Sequence, residues 1–190
     1  MGIIIVVAFC AIESGVNFMI LDMRPMLRGE TDRIEIDFSL APQLPDDAKP
    51  DGDARVVGEI TDRAGYMRLS LCATLQYNAQ CARCLEPVHD EFSVELERTV
   101  STRENLSEKQ LEENVDEYAI IEDGKLDLGE LVREELLLSF PMRFLCSPDC
   151  PGLCPKCGKP LRDGDCGCPK KEPDPRLAVL KTLLEQNEDS

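Results

Sequence analysis

From Arg33 to Leu40 apolar and polar residues alternate, with Ile34, Ile36, Phe38 and Leu40 on one side and Glu35 and Asp37 on the other. A period of two is what a strand needs to bury one face, so this stretch predicts a half-buried strand. Residues 41–54 hold Pro42, Pro45, Pro50 and Gly52 among acids and predict a loop. Arg55 to Thr61 reads as a second strand, turned by Asp62-Arg-Ala-Gly65. The third is the clearest: Met67, Leu69, Leu71, Ala73, Leu75 and Tyr77 alternate with Arg68, Ser70, Cys72, Thr74, Gln76 and Asn78. Beyond a turn at Cys81–Cys84, Val88, Phe92, Val94, Leu96 and Val100 mark the return strand. Short links between successive strands favour an antiparallel meander.

Residues 101–116 are polar, with Glu104, Glu108, Glu112 and Glu113, and predict a short helix or a solvated arm. Tyr118 to Ile121 predicts an edge strand that stops at Asp123-Gly124. The spacing then lengthens to three and four. Asp127 and Glu130 form a capping-box-like pair, Leu128, Leu131, Val132 and Leu136 supply the apolar stripe, and Pro141 closes a helix over 127–140. A last helix is predicted from Asp174 as N-cap and Pro175 at its first position, with Leu177, Leu180, Leu183 and Leu184 on one face. The fold class is therefore α+β: an antiparallel β-sheet meander with two packing helices and a C-terminal cysteine-rich module.

Six of the ten cysteines change the picture most. They fall between Cys146 and Cys168, as Cys146-Ser-Pro-Asp-Cys150, Cys154-Pro-Lys-Cys157-Gly158 and Cys166-Gly167-Cys168. Pro151, Pro155 and Pro169 rule out a helix or central strand there, so something other than backbone hydrogen bonds must fix the loop. Cysteines two residues apart can grip one metal from a single turn, and Gly158 lets that turn close. Disulfides or plain thiols are the alternatives, but no secretory signal argues for an oxidising compartment. The expectation is structural Zn²⁺, one or two ions per chain. With two, Cys81 and Cys84 join Cys146 and Cys150, while Cys154 and Cys157 join Cys166 and Cys168. With one, some of these cysteines are spare. Cys72, on the polar side of its strand, and Cys10 read as ordinary thiols.

Composition bounds the rest. The 190 residues suit one domain with a small appended module, and 43% hydrophobic residues with no Trp give an aliphatic core. A net charge of −16 opposes nucleic acid and anionic membrane at long range and suits basic partners. The sequence has no glycine-rich phosphate loop, and its single histidine, His89, has no evident nucleophile to serve. A non-catalytic protein is expected, with no membrane and no small-molecule substrate. The alternatives are a thiol–disulfide redox protein using Cys81 and Cys84, or a protein–protein adaptor without RNA contact. Against the redox alternative, Cys81-x-x-Cys84 sits between strands, whereas a reactive pair is activated at a helix N-terminus. Locally the charge reverses, with seven basic and four acidic residues between 155 and 181. Lys156, Lys159, Arg162, Lys170 and Lys171 form the densest cluster, a candidate contact for RNA or a partner. The first apolar run, Gly2 to Ile12, is about half of the ~20 residues that span a bilayer and lacks the features of a signal peptide.

Four motifs, in order, resemble the YceD family: Cys81-Ala-Arg-Cys84-Leu85, Leu136-Leu-Leu-Ser-Phe-Pro141-Met142, the cysteine block, and Asp174-Pro175-Arg176 followed by Leu180. The resemblance covers roughly residues 19–186 and departs after Gly158, where Lys159-Pro160-Leu161-Arg162 replaces the family's Asn-Leu-Asn-like turn. It implies a cytoplasmic role in ribosome biogenesis, supporting accumulation of the 23S ribosomal RNA, with an rRNA precursor or a large-subunit ribosomal or assembly protein as partner. Met19-Ile-Leu-Asp-Met-Arg-Pro looks like the family's usual start. The expected organisation is thus an extension over 1–18, a sheet domain over 19–145, and a zinc module with the last helix over 146–190.

Overall fold

The computed structural model describes residues 4–5, 10–13, 16–107 and 115–168. Two compact units divide the chain: 1–82 with 86–146, and 83–85 with 147–190.

The first unit is built on the predicted meander. Strands β4 (Arg33–Leu40), β6 (Ala54–Arg63), β7 (Tyr66–Gln80) and β8 (Pro87–Thr102) lie side by side in chain order, each antiparallel to the next. Burial follows the alternation: Ile34, Ile36, Phe38 and Leu40 are buried on β4, as are Leu69, Leu71, Ala73, Leu75 and Tyr77 on β7. Gly58 permits the β6–β7 approach, because a Cβ there would stand 2.1 Å from the Ser70 carbonyl oxygen.

The sheet is more mixed than a plain meander. β9 (Tyr118–Ile121) adds to β8 in parallel, and β1 (Ile4–Ile5) to β4 in parallel. The stretch 41–54, predicted as loop, contains β5 (Ala48–Pro50), which pairs with the end of β7. Pro50 is tolerated because it closes a three-residue strand. A second sheet orders β10 (Lys125–Asp127), β3 (Val16–Asp22) and β2 (Cys10–Glu13). Backbone pairing therefore reaches into residues 1–18, read above as an extension. A single-turn helix, α1 (Arg24–Leu27), follows β3 and buries Met26, with Met23 fully buried at its cap. One turn is too short to leave a periodic trace in sequence, so it was not expected.

Helix α2 (Leu128–Ser139) begins where the capping pair predicts. The Asp127 carboxylate accepts from the Glu130 N–H at 2.9 Å, and Leu128, Val132 and Leu136 are buried. Arg98 of β8 pairs with Glu135 of α2 at 2.7 Å, both less than a quarter exposed. Past the helix, Phe140 meets Tyr77 edge-on and Phe144 meets it at a tilt, with centroids 5.1 and 5.4 Å away, and Phe140 also meets Phe92 edge-on. This aromatic group fixes the chain that leads into Cys146. The helix predicted from Asp174 lies outside the described residues. Among those described, no helix is long and apolar enough to cross a membrane.

Candidate metal centre

The return from β7 to β8 is the first cysteine turn. Cys81 donates its N–H to the Glu86 carbonyl at 2.8 Å, and Leu85 takes a left-handed φ of +63°. The turn at Cys154 repeats this geometry. Cys154 donates to Lys159 at 2.8 Å, and Gly158 holds φ +72°. In both, the donor and acceptor are five residues apart, and the left-handed residue directly follows the second cysteine. Gly158 accommodates that conformation freely. Leu85 does not, since a left-handed residue with a Cβ costs about 1–2 kcal/mol. Leu85→Gly is therefore expected to stabilise the protein by about 0.5–1 kcal/mol, part of the gain being offset by the freer unfolded chain. Denaturant unfolding at saturating zinc would show it. A loss of stability would mean that the Leu85 side chain, 61% exposed, packs more than its exposure implies.

Four further hydrogen bonds position the segment that carries Cys146 and Cys150. Ala82 donates to the Phe144 carbonyl at 2.9 Å, bringing the segment that enters Cys146 beside the turn. Arg83 donates through its guanidinium to the carbonyls of Pro148 (3.4 Å) and Cys150 (2.8 Å), and its own carbonyl accepts from Leu153 at 3.1 Å. Gly152 sits so close that a Cβ would lie 3.1 Å from the Arg83 carbonyl oxygen. Arg83 leaves little signal in the sequence because its role is to hold carbonyls more than sixty residues away. Its only trace was its place inside the Cys-x-x-Cys motif.

The eight predicted cysteines fall into two sets of four. Within each, Cys81, Cys84, Cys146 and Cys150, or Cys154, Cys157, Cys166 and Cys168, one sulfur from every residue lies within 4.8 Å of the others. Four sulfurs at the ~2.3 Å bond length of tetrahedral zinc stand ~3.8 Å apart, so small side-chain adjustments would complete either set. The first set is the more enclosed, with Cys81, Cys84 and Cys150 buried and Cys146 exposed. In the second only Cys154 is buried. None of these eight, nor Cys72, is in a disulfide.

The donor chemistry of the second set suits a soft cation. Backbone N–H groups of Cys157 and Lys156 bond to the Cys154 sulfur and, with the Cys166 thiol, lower it to about 6. Cys168 is pushed up to about 12, first by the neighbouring Cys157 thiol and then by Cys166. One thiolate is thus favoured and a second opposed, and a bound dication is what would let all four ionise. Thiolate-only sets select zinc or iron–sulfur centres over magnesium or calcium, which require oxygen ligands.

Of the five basic positions singled out, Lys156, Lys159 and Arg162 are exposed on the second unit. Arg162 lies 3.7 Å from Asp163. Lys170 and Lys171 lie outside the described residues. Cys81 and Cys84 are not at a helix N-terminus, since the described α-helices start at Arg24 and Leu128 and the 3-10 turns at Arg103, Val115 and Leu161. His89 is exposed and bonds to Asn78 across the β7–β8 ladder.

Fold and site together define a small α+β protein, mostly strands, with cysteine clusters able to hold metal. The chain belongs to the YceD family: residues 69–184 match the family described as large ribosomal RNA subunit accumulation protein YceD. It is 35% identical over 111 residues to an uncharacterized protein of Mycobacterium tuberculosis, covering 58% of this chain and 52% of that one. It is also 38% identical over 76 residues to the uncharacterized protein YlbN of Bacillus subtilis, covering 40% and 44%. The chain spans about half the length of the curated relatives it matches. No solved structure matches it.

Proposed function

We propose that this protein is a non-catalytic assembly factor that supports accumulation of the 23S ribosomal RNA, with one structural zinc ion in each cysteine set. The observation that carries the role is the family match over residues 69–184. Zinc is supported by two all-cysteine sets, since closed four-cysteine sites are characteristically structural. The module of residues 147–168 has little regular structure beyond the Leu153–Pro160 bridge and a short turn at Leu161–Asp163. Metal would therefore hold Lys156, Lys159 and Arg162 in fixed relation, and these would meet the phosphates of a large-subunit precursor in the cytoplasm.

The test is the ratio of large- to small-subunit RNA in cells depleted of the protein. Depletion is expected to lower that ratio, and the wild-type chain to restore it. A ratio that stays level on depletion contradicts the proposal.

A further inference from the structure

The first unit carries an open groove of about 480 Å³ that the metal clusters do not touch. One wall is a single face of α2, where Asp127, Glu130, Leu131, Glu134, Glu135 and Leu138 follow at helical spacing. Residues of β9 and β10 supply the other wall, and Ile20 of β3 also lines the groove. Six carboxylates line this space against two cations, Arg98 and Lys125.

Three of the six carboxylates can be accounted for. Glu135 is held by Arg98 at 2.7 Å and by the Ser139 hydroxyl at 2.8 Å. Asp127 caps the helix, and Glu122 stands 3.9 Å from Arg103. Asp116, Glu130 and Glu134 are exposed and have no ion pair among the described residues. Between them lies apolar surface that water would ordinarily be spared: Leu138 is 78% exposed and Ile20 41%.

Acid alone would suit any cation. The interleaved apolar side chains narrow the choice, because a small polyamine or a metal ion gains nothing from Leu138 or Ile20. RNA is repelled by the carboxylates. From Asp127 to Leu138 the wall runs about 16 Å at 1.5 Å per residue, the length of three helical turns or about five extended residues. We propose that this groove receives a lysine- or arginine-rich amphipathic segment of a partner protein, cations meeting Glu130, Glu134 and Asp116 and apolar side chains covering Leu138 and Ile20. This docking mode pairs apolar anchors at helical spacing with a complementary charged rim.

The experiment uses the full chain with zinc bound and isotope-labelled Ile and Leu methyls. The probe is a synthetic 16-residue peptide with lysines and leucines at helical spacing. Saturable shifts are expected at Ile20, Ile120, Leu131 and Leu138, weakening as salt rises. Glu130→Gln with Glu134→Gln should weaken binding about tenfold, and Leu138→Ser by a comparable factor. A peptide of the same composition in scrambled order should bind less tightly. The proposal is overturned if binding does not saturate, if shifts map elsewhere, or if the variants bind like the parent. Spermidine giving the same shifts would reduce the groove to a cation site. A short RNA giving them would make it a nucleic-acid site. Probe binding only after deletion of residues 169–190 would assign the groove to this chain's own C-terminal segment. None of these readouts involves ribosomal particles, so the result stands apart from the assembly role proposed above.

Discussion

Cys84→Ser is expected to remove one of the two zinc ions proposed above, and with it the fixed arrangement of the segments around Cys81–Cys84 and Cys146–Cys150. Serine matches cysteine in size but binds zinc weakly, so the three remaining sulfurs would hold an incomplete set. Structural zinc contributes ~10–16 kcal/mol of apparent binding free energy in small peptides, against ~5–15 kcal/mol for the net stability of a whole domain. A loss of that order exceeds what the few backbone hydrogen bonds around the set can replace. Hydrogen exchange should locate it. Amides of Cys150 and Leu153, which bond to Ser147 and Arg83, are expected to lose protection. Those of the β7–β8 ladder should keep most of theirs, because that ladder runs over fourteen residue pairs from Met67–Val100 to Gln80–Pro87. A Cys84→Ser protein with parental zinc content and unchanged exchange would show that the first set holds no metal.

The second large effect concerns association. Reversing Lys156, Lys159 and Arg162 to Glu should abolish most co-sedimentation with large-subunit precursors while zinc content and folding stay normal. The reason is electrostatic. A chain of net charge −16 repels RNA beyond the ~8 Å physiological screening length, so attraction must come from a clustered patch at contact range. Each phosphate neutralised steepens the salt dependence by ~0.7–0.9 in log–log slope, so losing three contacts should flatten it by roughly 2–3. All three residues are exposed, so the substitutions leave the buried core intact. If the triple variant sediments like the parent, the patch is a bystander, and a basic protein partner becomes the better reading.

The sequence revealed those parts of the structure whose causes are local. Alternation over Met67–Tyr77 displayed β7 because one face of that strand is buried and the other is not. Asp127 and Glu130 displayed the start of α2 because the cap is a contact across three residues. The Cys-x-x-Cys spacing of Cys81–Cys84 and Cys154–Cys157 marked two turns that each present two sulfurs at once, but it left open whether the eight cysteines form two sets or one with spares. Other features depend on partners distant in the chain. β5 hides among prolines and acids and exists because the end of β7 offers it a ladder. The parallel addition of β9 to β8 has no sequence signature at all. Arg83 belongs to the same class, as its guanidinium answers carbonyls at Pro148 and Cys150. The left-handed conformation of Leu85 was masked because the usual glycine is absent, and only its parallel with Gly158 exposes it.

Metal stoichiometry tests the central claim most directly. Native mass spectrometry of the full chain, purified without chelators, should give a mass carrying two zinc ions. Cys84→Ser and Cys157→Ser should each remove one. A chain that carries no zinc, or that retains both ions in either variant, would contradict the account.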